Sequence, residues 1–241
     1  AASDVYKRQS LAVDGKADPS GLSLANARDG GLWVGTYDQG VIHLPAASGT
    51  AQGVPWRIDE ARGLPSNHVR ALLERADGSL WIGSNEGVTV YRDGRIARHY
   101  AAGEALPDGN VYVFHESGIG ELWIGTSNGM AVMRRDGTVR TWKPKTGFPA
   151  VAAFDFLSDP DGSLWIATDR GLLHWRDGRF VQFDHRQGPP NNRLFRLLED
   201  ENGDFWASSN RGVFRISRPA LTAVENGHLA RLPVEAFTHA D

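Results

Sequence analysis

Apolar and polar positions alternate in short runs along almost the whole chain, and the runs come in sets of four. Val69 to Glu74 is apolar and β-prone, and Ala76-Asp77-Gly78 turns the chain. Leu80-Trp81-Ile82-Gly83 follows, Asn85-Glu86-Gly87 turns the chain again, and Val88-Thr89-Val90-Tyr91 alternates. Arg92-Asp93-Gly94-Arg95 is an Asp-Gly hairpin signal, and Ile96 to Tyr100 closes the set. No run carries the 3.6-residue apolar spacing of a long helix. The pattern predicts an all-β chain.

The set recurs around tryptophan. Asp29-Gly-Gly-Leu-Trp33-Val-Gly-Thr36 returns as Asp77-Gly-Ser-Leu-Trp81-Ile-Gly-Ser84, Gly120-Glu-Leu-Trp123-Ile-Gly-Thr126, Asp161-Gly-Ser-Leu-Trp165-Ile-Ala-Thr168 and Asn202-Gly-Asp-Phe-Trp206-Ala-Ser-Ser209. The five Trp are 48, 42, 42 and 41 residues apart, and a Gly follows each: Gly40, Gly87, Gly129, Gly171 and Gly212. A unit of this length with four strands and one Trp predicts a propeller blade, which buries both faces only between neighbours. Trp and the small residue two positions on share a sheet face. Gly35 or Ala167 there is expected to leave room for a neighbouring blade's indole.

These residues resemble the two-component regulator propeller repeat, with its Asp-x-x-Gly-x-Leu-Trp-Ile-Gly-Thr-x-x-Gly-Leu pattern. Gly63-Leu-Pro-Ser-Asn67 and Asn210-Arg-Gly-Val-Phe-Arg-Ile-Ser217, followed by a short polar insertion, match it too, so the resemblance covers roughly residues 20 to 241. It implies about five four-stranded blades of a seven-bladed β-propeller. It further implies a non-catalytic, ligand-sensing module in the periplasmic part of an inner-membrane receptor. The implied partners are an unidentified small-molecule or glycan ligand, further blades, a homodimer mate, and a histidine kinase or diguanylate cyclase output domain of the same protein.

The expected organisation is a leader over 1–10 and a partial propeller over 11–241. Asp4-Val-Tyr-Lys-Arg-Gln9 resembles a translated sequencing-adaptor remnant; the alternative is a native loop. Leu11 to Ser23 reads as the tail of an earlier unit, and Val234-Glu-Ala-Phe237 as the first strand of another.

Composition removes several chemistries. Hydrophobic residues make up 41% and charged residues 23%, so the chain can build a core. With no Cys, disulfides and Cys-based metal or redox sites are impossible. The net charge of −3 gives no footprint for a nucleic acid, and the densest basic spots, Arg134-Arg135 and Lys143 to Lys145, are separated by a strand. There is no His-Glu-x-x-His, no Gly-x-Ser-x-Gly and no phosphate cradle. Asp159-Pro-Asp161-Gly162 and Asp200-Glu-Asn202-Gly-Asp204 resemble calcium loops, but Trp follows where such a loop would continue, so both read as turns. His115-Glu116 and Phe156 read as blade packing or channel lining. No catalytic residue, metal ligand or cofactor is expected.

Variable polar residues remain at one end of the blades. Turns between second and third strands, together with the links between blades, hold Asn67, His68, Asn85, Asn110, Asn128, Arg170, Asn192, Arg193 and Arg211. These are the candidate ligand-binding rim, because loops on a rigid scaffold vary without unfolding it. Ordinary turn chemistry accounts for the same residue types. A propeller lyase or hydrolase and a plain interaction scaffold are the other readings.

Overall fold

A computed structural model describes residues 12–13, 16–17, 19–46, 53–188 and 193–237. The leader and Asn192 lie outside the described residues. A small antiparallel ladder, β1 (Ala12–Val13) with β2 (Lys16–Ala17), precedes five four-stranded sheets. Sheet one is β3 (Gly21–Asn26), β4 (Leu32–Thr36), β5 (Val41–Leu44) and β6 (Trp56–Ile58); sheet two is β7 (Val69–Glu74), β8 (Leu80–Ser84), β9 (Val88–Arg92) and β10 (Arg95–Tyr100). Sheet three is β11 (Val111–Glu116), β12 (Leu122–Thr126), β13 (Gly129–Met133) and β14 (Val139–Trp142). Sheet four is β15 (Ala153–Ser158), β16 (Leu164–Thr168), β17 (Gly171–Arg176) and β18 (Arg179–Phe183). Sheet five is β19 (Leu194–Glu199), β20 (Phe205–Ser209), β21 (Gly212–Ile216) and β22 (Val234–Phe237). Each sheet is a meander in chain order, the topology of a β-propeller blade.

The chain divides into two compact units, 1–85 with 89–99 and 86–88 with 100–241. The first centres on sheets one and two, the second on sheets three to five. Within each unit the Trp of one sheet seals it against the next. Trp33 clusters with Leu80 and Ile82 of sheet two. Trp123 clusters with Leu164 and Ile166 of sheet four, and Trp165 with Phe205 and Phe214 of sheet five. One face of a sheet therefore carries Trp and a small residue, and the following sheet meets it with the apolar residues on either side of its own Trp.

The small residue two positions after Trp makes room for something other than an indole. A Cβ at Gly125 would sit 2.6 Å from the Ala153 carbonyl oxygen and 3.2 Å from Phe156. At Gly35 it would sit 2.8 Å from Val69 Cγ1. The next sheet's first strand, backbone included, takes that space. Sheets four and five admit a methyl there, with Ala167 and Ala207 fully buried.

Three elements differ from the sequence expectation. Gly21 to Ser23, expected at the end of an earlier unit's tail, instead open the first strand of sheet one, Gly21–Asn26. Val234–Phe237 opens no new unit; it pairs with β21 and completes sheet five. The polar insertion before it holds a helix, α1 (Arg218–Glu225), with a Pro in its first turn. Leu221 is fully buried there and packs into the Trp165 cluster with Ala220 and Val224. Arg218 ties the helix to Asp159 (2.6 Å) and Glu199 (2.9 Å), and Glu225 reaches His174 Nδ1 at 3.0 Å. Eight residues are too few for helical periodicity to stand out.

The Asp residues of the first turns are occupied as turn residues. Asp159 Oδ2 accepts the Trp165 indole N–H (2.8 Å) and the Ser163 hydroxyl, and Asp200 accepts the Trp206 indole N–H (2.9 Å) and the Asn202 and Asp204 amides.

Candidate ligand-binding rim

The start of every first strand pairs with the end of every second: Gly21 with Thr36, Val69 with Ser84, Val111 with Thr126, Ala153 with Thr168, and Leu194 with Ser209. Links and second-to-third-strand turns therefore share one end of each sheet, as the sequence pattern predicts.

A hydroxyl fixes these turns in sheets one, three, four and five. Thr168 Oγ1 donates to the Gly171 carbonyl (2.7 Å) and accepts the Arg170 amide (3.0 Å). Thr126 does the same with Gly129 and Asn128, and Ser209 with Gly212 and Arg211. The repeat's terminal Thr or Ser is thus a turn lock, a role the sequence reading had not assigned. It pins the backbone and leaves the side chains of Asn128, Arg170 and Arg211 exposed. Asn85, Asn110 and Arg193 are exposed as well. Asn110 follows Asp108, whose carboxylate accepts the Asn110 amide (2.8 Å) and the Ser127 hydroxyl (2.6 Å).

Asn67 and His68 are placed differently. Asn67 Oδ1 accepts the Glu60 amide (3.0 Å), its own amide donates to Glu60 Oε1 (3.1 Å), and its carbonyl accepts from Gly40. It is a clasp within the link. His68 Nε2 accepts from Arg70 Nε at 2.8 Å, and its ring lies 4.6 Å from that of Tyr37. Burial, then the Arg70 charge, lowers its pKa and keeps the ring neutral.

All five first strands slip register by one residue near their start, a β-bulge at the same place each time. The positions skipped in the register are Leu22, Arg70, Tyr112, Phe154 and Phe195. A bulge re-aims its side chain. In the second unit the re-aimed side chains form a half-buried row: Tyr112 stacks on Phe154 at 5.4 Å between centroids, and Phe154 meets Phe195 edge-on at 5.4 Å. Asn110, Asn128, Arg170, Arg193 and Arg211 belong to the same ends of these three sheets. The row was missed in the sequence, although Tyr112, Phe154 and Phe195 recur at 42 and 41 residues, the spacing of the Trp series.

Beside the row, Asp155 links sheet four to sheet five: its carboxylate accepts the Leu197 amide at 2.9 Å, with Arg196 at 3.4 Å. Burial raises its pKa against the pull of that amide and of Arg196. A carboxyl whose folded pKa lies above its unfolded value contributes stability at low pH and loses it as pH rises through the folded pKa. Asp155→Asn keeps the acceptor without the charge. It is expected to raise the melting temperature at pH 8, with the gain shrinking as the buffer is acidified through the Asp155 titration. Asp155→Ala orphans the Leu197 amide and should cost about 1–3 kcal/mol at every pH. Melting both variants across that range checks the pair; a constant Asp155→Asn gain would contradict the assignment. His115 is held neutral mainly by burial, with Nε2 2.9 Å from Ser158 Oγ, and packs near Phe156.

Comparison with known proteins agrees with this architecture. The two component regulator propeller family matches residues 63–86, the link and first half of sheet two. No curated protein sequence matches the chain. Among solved structures, an extracellular domain assigned to a hybrid two component system of B. thetaiotaomicron superposes with a TM-score of 0.72 at 24% identity, covering 94% of this chain and 31% of that one. A second B. thetaiotaomicron extracellular domain, assigned to a one component system, gives 0.72 at 20% identity, covering 93% and 32%. The chain thus spans about a third of the length of these two domains. Virginiamycin B lyase from Staphylococcus aureus gives 0.68 at 14% identity, covering 95% of this chain and 73% of the lyase. The chain has the fold of a β-propeller, and its residues 63–86 match the two component regulator propeller family.

Proposed function

We propose that the chain is part of an extracytoplasmic sensor propeller, non-catalytic in itself, whose rim takes a small-molecule or glycan ligand and passes the signal to an output domain of the same protein. One observation carries the reading: on a repeat held rigid by turn locks, the bulge positions of three successive sheets form an aromatic row beside variable, exposed Asn and Arg side chains. Aromatic faces bind flat or apolar faces, and Arg and Asn supply directional donors. The likeness to extracellular domains of signalling systems supports the reading, as does the shared repeat. No helix of the described residues is long and apolar enough to cross a membrane. The lyase reading has the shared fold in its favour, but among the described residues no three His, Asp or Glu are grouped to hold a metal.

The test is the signalling response of the receptor carrying Tyr112→Ala, Phe154→Ala and Phe195→Ala together. A loss of on the order of tenfold in ligand sensitivity is expected, equivalent to about 1.4 kcal/mol, with sheet content retained in circular dichroism. An unchanged response would remove the rim from the account. Asn67 is unsuited to this test, because its loss opens the link clasp.

A further inference from the structure

At the opposite end of the blades, one turn departs from the repeat. Four copies place Asp or Asn four residues before the Trp (Asp29, Asp77, Asp161, Asn202); the third has Ile119, 63% exposed. Six residues before the Trp, sheets four and five place the Asp that accepts the indole N–H. Sheet three has Ser117 there, and its hydroxyl accepts the Glu121 amide instead (3.2 Å). Sheet one uses a different acceptor: Trp33 donates to Glu74 at the end of the next sheet's first strand (2.6 Å). The matching residue after Trp123 is Ser158, whose Oγ is bonded to His115.

Both usual acceptors are therefore diverted. The indole N–H of Trp123, a residue 2% exposed, donates to no described residue. Trp123 lines a 560 Å³ cavity between the first turns of sheets three and four, with Ile119, Leu164 and Pro160 as apolar wall and Ser117 and Asp161 beside them. The donor atom itself is not sealed from solvent, and the Trp123 ring borders ligand-sized space. Neighbouring carboxylates are neutralised: Glu121 by Arg134 (3.2 Å), Asp161 by Arg176 (3.2 Å), and Asp159 by Arg218 (2.6 Å). The site offers one directional donor and an apolar surface, with little net charge.

We propose that this cavity binds a small neutral organic molecule that presents a carbonyl oxygen to the Trp123 indole N–H and lays an apolar body on Ile119 and Leu164. It lies at the other end of the blades from the aromatic row and stands or falls independently of the rim.

The test is proton–nitrogen correlation NMR of the indole region of the 241-residue chain, which has eight Trp; Trp123→Phe assigns the signal of interest. The probe is N-cyclohexylacetamide, a carbonyl on a six-carbon ring, with cyclohexylammonium as the ring without an acceptor. The amide is expected to move the Trp123 signal saturably, with Kd on the order of 1 mM for so small a probe, and the ammonium to leave it in place. Ser117→Asp restores the repeat's own acceptor and should weaken the amide at least tenfold while the other indole signals persist. Ile119→Asp, which removes the apolar wall, should do the same and serves if Ser117→Asp fails to fold. A Trp123 signal unmoved by the amide, moved equally by the ammonium, or moved as strongly in the folded variants overturns the proposal.

Discussion

Gly171→Ala is expected to destabilise the second unit by about 3 kcal/mol or more. Gly171 follows the locked turn of sheet four with φ +112, a region almost closed to residues with a side chain and costing about 1–3 kcal/mol to occupy. An added Cβ would also overlap the carbonyl oxygen of Phe183 and lie 3.2 Å from Asp184 Cα. Both neighbours are backbone of the adjoining strand end, so relief requires moving the strand, at about 1–3 kcal/mol more. Gly178 separates the two contributions. It has φ +80 in the hairpin between β17 and β18, with nothing within 4 Å of an added Cβ. Gly178→Ala should therefore cost only about 1–2 kcal/mol, the conformational part. Urea unfolding of the two variants checks the difference. Equal losses would mean that close approach to the outer strand is not why the repeat carries Gly at this position.

Much of this fold was legible in the residue pattern, for a physical reason. Strands alternate with period two, the Trp recurs once per sheet, and each Asp-Gly or Asn-Gly marks a turn, so local and global signals agree. Where local signal was weak, the pattern misled. Val234–Phe237 is separated from β21 by a helix of eight residues and reads as a new beginning, yet tertiary pairing makes it the closing strand of sheet five. Gly21–Asn26 has Gly at its start and exposed Leu22 and Leu24, which hid its place as a first strand. The rim was legible as turns, and the exposure of Asn128, Arg170 and Arg211 follows from their neighbouring hydroxyls. The role of Asn67 was not, because Glu60, which holds it, is seven residues away and outside the repeat motif. Nor was the aromatic row, since a bulge is a property of register and only pairing reveals which residue it ejects. Aligning the copies on Trp would have set Tyr112, Phe154 and Phe195 in one column.

The second large effect is expected at Trp165. Its indole is 2% exposed, stacks on His174 at 4.0 Å, meets Phe205 edge-on at 5.1 Å, and donates to Asp159. Trp165→Ala empties the contact between sheets four and five and removes one of the hydrogen bonds to the Asp159 carboxylate, for a loss of about 3–5 kcal/mol. Trp206 holds the same repeat position, with the same indole bond to Asp200 and a stack on Phe237 at 5.4 Å. It is only half-buried and lies outside the core cluster that contains Trp165. If the repeated Trp acts by sealing its sheet to the following one, Trp206→Ala should cost only about 1 kcal/mol, as for a side chain near the surface. If the Trp instead stabilises its own sheet through the indole–carboxylate bond, the two losses should match. The decisive measurement is therefore parallel urea unfolding of Trp165→Ala and Trp206→Ala, followed by far-ultraviolet circular dichroism. A gap of about 2 kcal/mol or more supports propeller assembly through the Trp face, and equal losses contradict it.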